Sequence, residues 1–429
     1  MKILREFSQS LLILLVGISL VNCSGGTNCD FGGADRPVRR ADSALPPCPN
    51  GGGGGGNNNC STTQTPTDAL FSMGATGTFL IFDISSSNPP LVQICNNVSG
   101  TLGGLAVSQP VGGGAAFIYV LDVNGATSTI GAYSIAGGSS AALTAVQGQP
   151  FGISSDTLTT NDTIRTDPNG DYVLVTNQVT GKIHVFLVDR VNAATLGALT
   201  EVAGSPFSSP NVSSIAVDFS GQFAYATDPV DGQITVYTIT IPTPGVLALA
   251  NINNNPMPIT TGAGDFPNHA HSSVTNPGGV GTELLYTANT SSVTAYMVNE
   301  GGSLTALAPP YEDANTDGLL PVRIAIDASS MALYVMSSNT KGLLAYQMSG
   351  TGQLTLVVGS PFLPGTGVND ITIRGETLYV QEGAGGGFGG TIDPFAINTT
   401  NNPGLITAIA QVAPAPFTTS ANIVTAITQ

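Results

Sequence analysis

An all-β chain of repeated four-stranded units is predicted by three observations. The first is an aromatic strand that recurs in step. TFLIFDI, TIGAYSI, KIHVFLV, QITVYTI, SVTAYMV, GLLAYQM and TIDPFAI put Phe82, Tyr133, Phe186, Tyr237, Tyr296, Tyr346 and Phe395 in one frame. Their spacings are 51, 53, 51, 59, 50 and 49 residues. The second observation is that each aromatic strand from Tyr133 onward follows another apolar strand, marked by Tyr119, Leu174, Tyr225, Tyr286, Tyr334 and Tyr379. The third is composition: 54 Gly and 28 Pro punctuate a chain that is 41% hydrophobic, which suits short strands and tight turns better than helices or disorder.

The remaining elements of the unit follow in order. After the aromatic strand comes a leucine strand, as in AALTAV, GALTEV, GSLTAL and GQLTLV. Several units close on a Pro-Phe pair, at Pro150-Phe151, Pro206-Phe207, Pro361-Phe362 and Pro416-Phe417. Before the second strand lies a further apolar run, LAVSQ, TIRTDPNG, SIAVDFSG, RIAIDASS or DITIRGE, ending in a turn signal. Four short strands in about 50 residues are the mark of a kelch-sized propeller blade, so the expected fold is a seven-bladed β-propeller of four-stranded blades. Blades are expected to start near residues 67, 101, 162, 212, 268, 320 and 368. The first lacks an inner strand, and Ala421–Ile427 supplies one, so the ring should close by pairing the last strand with the first blade.

Three segments are delimited. Lys2 and Arg5 precede an apolar run from Leu11 to Val21, too short to span a bilayer and suited to a secretory signal over residues 1–22. Leu20-Val21-Asn22-Cys23 resembles the lipobox of bacterial lipoproteins, which implies cleavage before Cys23 and its lipidation. By the same resemblance Ser24 favours the outer membrane, on its periplasmic side or at the cell surface. Residues 23–66, with Gly51–Gly56 and Asn57–Asn59, read as a flexible tether, and residues 67–429 as the propeller. Cys29, Cys48, Cys60 and Cys95 are an even set with three possible pairings, of which Cys29–Cys48 and Cys60–Cys95 are favoured.

Charge removes one class of partner. Beyond Cys60 there are six Lys and Arg against 23 Asp and Glu, a formal charge of −17. A body so acidic cannot exchange counterions with a phosphate backbone, which excludes nucleic acid. No Gly-x-Ser-x-Gly elbow is present, and the glycine runs, Gly383–Gly390 included, lack the ending of a phosphate loop.

The units DPNGDYVLVTNQVTGKIHVFLVD and GETLYVQEG…TIDPFAI resemble blades of the seven-bladed lactonase family, typified by 6-phosphogluconolactonase and carboxymuconate cyclase propellers. The resemblance spans residues 67–429 and rests mainly on blade-forming positions. Its sharpest local match is Asn268-His269-Ala270-His271-Ser272-Ser273-Val274, which implies a histidine in the active site. The family also supplies an arginine at the start of the next inner strand and a carboxylate at the end of the second strand. Here those places read Pro321-Val322-Arg323 and Ser337-Ser338. Arg323 is displaced by one residue, which on a regular strand turns it to the opposite face. Asp370 and Glu382 are the carboxylates that geometry could bring in instead.

Asp313-Ala314-Asn315-Thr316-Asp317-Gly318 matches the first half of a calcium loop, with Asp313, Asn315 and Asp317 as candidate ligands. The twelfth position is Ile324, so the bidentate carboxylate is missing. Calcium is the only cofactor the sequence offers.

The first expectation for function is an exported, lipid-anchored envelope protein whose propeller binds a glycan or another envelope protein. The alternative is a lactonase or cyclase acting on an unphosphorylated lactone, because six scattered cations cannot cradle a phosphate as well. Either ligand would sit at the channel mouth near His269, His271, Arg323, Asp370 and Glu382.

Overall fold

The computed structural model describes residues 69–74, 79–83, 92–96, 102–108, 116–123, 128–135, 143–153, 156–159, 162–240, 246–249, 255–258, 267–273, 283–307, 321–327, 331–337, 342–362, 367–383, 390–400, 403–408 and 421–427. The signal segment, Cys23, Cys29, Cys48, Cys60 and the candidate calcium residues Asp313, Asn315 and Asp317 lie outside them. No helix of the described residues is long and apolar enough to cross a membrane.

Among the described residues the strands pair antiparallel into seven sheets. Six are contiguous in sequence, and one is assembled from distant parts of the chain. In that sheet, sheet 1, Ala69–Gly74, Phe79–Asp83 and Val92–Asn96 are joined by Ala421–Ile427, which pairs with Ala69–Gly74 as its inner strand. Sheets 2 to 7 begin with inner strands Leu102–Ser108, Ile164–Thr166, Ser214–Val217, Pro267–Ser273, Pro321–Asp327 and Gly367–Arg374. These starts fall within about two residues of those expected from the repeat. The inner strands neighbour one another in series, sheet 3 reaching sheet 4 through its second strand, and the series returns from sheet 7 through Ala421–Ile427 to sheet 2. The molecule is an all-β propeller.

The unit departs from the expected four strands in sheets 2, 3 and 4. There the residues after the leucine strand fold back as a fifth strand on the aromatic strand: Phe151–Gly152, Phe207–Ser208 and Met257–Pro258. In sheet 6 the same place holds a single bridge, Leu343 to Phe362. The Pro-Phe pairs are thus part of the sheet. A proline lacks the N–H of a central strand, which is why the pairing stays short and at the edge.

Stacking explains the burial pattern. Second strands such as Ala116–Asp122 and Ala332–Ser337 are buried at nearly every position instead of alternately. Each lies between two neighbouring sheets, so both of its faces meet protein. The tyrosine of this strand also joins sheets. Tyr119 donates its hydroxyl to the Gly197 carbonyl at 3.2 Å, Tyr286 to Gly352 at 3.3 Å and Tyr334 to Gly404 at 3.0 Å. In each case the glycine precedes the leucine strand of the next sheet, and its φ is positive, between 81° and 86°. The phenol is buried but its hydroxyl is satisfied, so burial is not penalised. Tyr225 occupies the same place in sheet 4, where its hydroxyl finds no hydrogen bond among the described residues.

Glu283 opens the second strand of sheet 5 and accepts the Phe219 N–H of sheet 4 at 2.9 Å. Burial, with Asp218 nearby, pushes its carboxyl up to about 7. The folded state therefore holds a proton there that the unfolded chain releases near 4.5. Stability from this group is present below that lower value and is lost as pH rises through 7. The melting temperature is expected to rise as pH falls from 8 to 5, and Glu283→Gln should flatten that slope. An equal slope in the variant would refute the assignment.

Candidate site at the start of the inner strands

Inner strands start, and second strands end, at the same end of the sheets, because the two are antiparallel. Five of the seven inner strands carry a register shift there. The residue passed over is Gly103 in sheet 2, Asn268 in sheet 5, Val322 in sheet 6, Asn369 in sheet 7 and Asn422 in sheet 1. A bulge inserts one residue on one strand and re-aims the side chains after it.

In sheet 6 Val322 is the extra residue and Arg323 resumes pairing opposite Met336, so Arg323 takes the face opposite to Pro321 instead of sharing it. His269 stands opposite Ala288 and Asp370 opposite Gln381. His269, Arg323 and Asp370 therefore hold one register level, immediately after the bulge, on three successive inner strands. Arg323 Nε lies 3.2 Å from Asp370 Oδ1, with side chains 28% and 2% exposed. The carboxylate beside Arg323 is carried by the inner strand of sheet 7.

Two residues further along the inner strands lies a second register level. Arg165, on the inner strand of sheet 3, pairs opposite Leu174, and His271 holds the corresponding level opposite Tyr286. Arg165 is half-buried and its Nη1 donates to the Ile164 carbonyl at 3.2 Å. Burial pushes its guanidinium down to about 10, Arg323 adds like-charge repulsion, and Asp370 opposes both. Arg165 therefore shares an electrostatic environment with a pair carried by sheets 6 and 7. The sequence signal was a charge in the middle of an inner strand whose counterparts at that level include Ala106, Ala216 and Ala325, with His271 and Thr372 in sheets 5 and 7.

Glu382 stands one residue before the end of the second strand of sheet 7, opposite Val368. Its counterparts include Asn177 and Asp228, and both of these cap the following turn. Asn177 Oδ1 accepts the N–H groups of Val179 and Thr180, and Asp228 Oδ1 those of Val230 and Asp231. That position is built for holding a turn. Cys95 lies on Val92–Asn96, opposite Ile81.

A second polar cluster sits in sheet 3. His184 is wholly buried, with Nε2 3.1 Å from Asp156 and Nδ1 2.9 Å from Glu201. Lys182 Nζ takes the other Asp156 oxygen at 3.1 Å, and Ser205 Oγ donates to Glu201 at 2.8 Å. Each ring nitrogen thus faces its own carboxylate, and each carboxylate has a second donor, Lys182 or Ser205. His184 has no exposed surface, and the cluster ties the crossover at Asp156 to the sheet. Among the described residues no group of three or more His, Cys, Asp and Glu is arranged to hold a metal ion.

No family model and no curated protein matches the chain. Solved structures do match its fold. A candidate 6-phosphogluconolactonase of Bacteroides uniformis superposes with a TM-score of 0.64 at 16% identity, over 84% of this chain and 99% of that one. Another from Bacteroides fragilis gives 0.61 at 15%, over 86% and 100%. A periplasmic gluconolactonase of Pseudomonas aeruginosa gives 0.61 at 14%, over 84% and 99%. At such identities the likeness is one of architecture, and this chain has the lactonase-like β-propeller fold.

Proposed function

We propose that this chain is a seven-bladed, lactonase-like propeller that binds and opens a small unphosphorylated lactone where its inner strands begin. The ion pair of Arg323 and Asp370, at the register level of His269, carries this reading. Seven paired sheets with inner strands in series support the blade count. Ring opening needs cationic donors for the oxyanion that develops at the carbonyl, and a base for the attacking water. Arg323 is the donor, held in place by Asp370, and His269 is the base. Export and lipidation at Cys23 belong to the same proposal, resting on Lys2, Arg5 and the apolar run that ends before that cysteine.

A second reading, a glycan- or protein-binding module without turnover, is favoured by one observation. Arg323 and Asp370 balance each other's charge within the protein, so the arrangement stands without a reacting substrate.

Hydrolysis of glucono-1,5-lactone, followed by proton release above the buffer rate, separates the two. Under the enzyme reading, His269→Ala is expected to lower the rate by roughly 10²- to 10⁴-fold. A wild-type protein no faster than buffer across a panel of neutral and acidic lactones would leave the binding module standing.

A further inference from the structure

We infer that Val179 and Val230 form an apolar ledge beside the candidate site, so that the lactone taken there carries an aliphatic arm. The inference rests on the reading above for where the lactone ring sits, and it adds the class of substrate.

Two turns that follow second strands, at the end of the ring where the inner strands begin, are built alike. In sheet 3 Asn177 Oδ1 accepts the N–H groups of Val179 and Thr180, each at 3.1 Å, and the Gly181 N–H donates to the Asn177 carbonyl at 2.9 Å. In sheet 4 Asp228 Oδ1 accepts those of Val230 and Asp231 at 2.8 and 2.9 Å, and the Gly232 N–H donates to the Asp228 carbonyl at 3.1 Å. Gly181 and Gly232 close the turns at φ of +64° and +66°. The third residue of each turn is the valine, and it is 71% exposed in sheet 3 and 63% in sheet 4. Both turns grip one piece of chain, the crossover from sheet 3 into the inner strand of sheet 4. Gln178 Nε2 donates to the Ser213 carbonyl at 3.2 Å, and the Ser209 N–H to the Gly181 carbonyl at 2.8 Å. Asn211 Nδ2 donates to Asp228 Oδ2 at 3.4 Å, and the Ser213 N–H to the Thr227 carbonyl at 2.9 Å. The two valines are therefore fixed on neighbouring sheets, on either side of one inner-strand start.

Sheets 5, 6 and 7 bring the level of His269, Arg323 and Asp370 to this same end. One side of the mouth thus carries an ion pair, and another side a pair of valines. The other exposed large apolar side chains of the described residues are scattered: Leu187, Val191 and Phe219 lie toward the opposite end, and Val358 follows an outer strand. A valine at the tip of a capped turn cannot fold inward, so a ligand is what covers it. Covering it with hydrocarbon is favourable in proportion to the area taken from water. Two valines fall far short of the roughly 800 Å² per partner that a stable protein interface buries, and an alkyl chain is the occupant of matching size. In ring opening the water oxygen bonds to the carbonyl carbon, the bond from that carbon to the ring oxygen breaks, and the ring oxygen takes up a proton. The hydroxy acid that results keeps its arm.

The test compares δ-valerolactone, which has no arm, with δ-octalactone and δ-decalactone, which carry propyl and pentyl arms on the same ring. Proton release gives kcat/KM for turnover by the full chain, and calorimetric titration gives affinity where a lactone is not turned over. The value is expected to rise roughly tenfold or more from valerolactone to decalactone, since full burial of two CH₂ groups already gives that much. Val179→Ser combined with Val230→Ser should bring the decalactone-to-valerolactone ratio back toward one. Val230→Leu extends the ledge and should raise that ratio, and it serves if the double variant does not fold. The inference is overturned by a flat series in the wild-type chain, or by a ratio that neither substitution moves. Turnover with a flat series would sink this inference alone. Arm-dependent binding without turnover would sink only the enzyme reading, and neither binding nor turnover of any of these lactones would sink both.

Discussion

Removal of the last ten residues, 420–429, is expected to abolish the cooperative unfolding transition. Ala421–Ile427 is the inner strand of sheet 1, paired from Ala69↔Ile427 to Gly74↔Ala421, and it packs on the inner strands of sheets 7 and 2. Without it, sheet 1 keeps only three strands and both neighbours lose their partner on one side. Leu70 and Phe71, 0% and 1% exposed, lie on the strand whose edge would be bared. A free edge with apolar side chains is a template for aggregation. The loss is expected to be on the order of a domain's whole net stability, about 5–15 kcal/mol. Thermal unfolding of the truncated chain checks this, and a synthetic peptide of residues 421–427 should restore part of the transition by strand addition. A truncated chain melting within a few degrees of the full one would show that the ring does not depend on its closure.

Ring closure was legible because it comes from counting. Each strand carries its own apolar signature, so an inner strand missing at the start and an unpaired run near residue 421 could be matched without any contact being known. The fifth strands were less legible. Phe151 and Phe207 were visible as closing pairs, but two residues carry no periodicity that separates a strand from a turn. The site was legible as residue types and illegible as geometry. Alternation along a strand is a rule about faces, and one bulged residue at Val322 reverses the face that rule assigns to Arg323. Arg165 could have been found by asking which inner strand bears a charge at the level where three of its counterparts bear alanine. The Asp156, His184 and Glu201 cluster joins residues 17 and 28 apart across a crossover, a distance over which local pattern says nothing.

Gly302→Ala is expected to destabilise the protein by about 2–5 kcal/mol, and Gly301→Ala by only about 1–2 kcal/mol, although both glycines have φ of +79°. The difference isolates how tightly neighbouring sheets interlock. A Cβ on Gly301 would meet nothing within 4 Å, so its cost is the conformational one of a left-handed backbone. A Cβ on Gly302 would stand 2.3 Å from the Phe223 ring of sheet 4 and so adds overpacking to the same backbone cost. The arrangement recurs: Gly197 would meet Phe117 at 2.4 Å, Gly352 would meet Leu307 at 2.5 Å and Leu284 at 3.0 Å, and Gly404 would meet Ala332 at 2.9 Å. Phe117, Phe223, Leu284 and Ala332 stand two residues before Tyr119, Tyr225, Tyr286 and Tyr334, so each second strand offers the next sheet's glycine a side chain and a tyrosine from one face. Urea unfolding of the two variants gives the comparison directly. Phe223→Leu in the Gly302→Ala background should recover part of the loss, since the two positions are in contact and their effects should not add. Equal losses for Gly301→Ala and Gly302→Ala would mean that the Phe223 ring swings aside at little cost, and that the glycine is kept for its backbone alone.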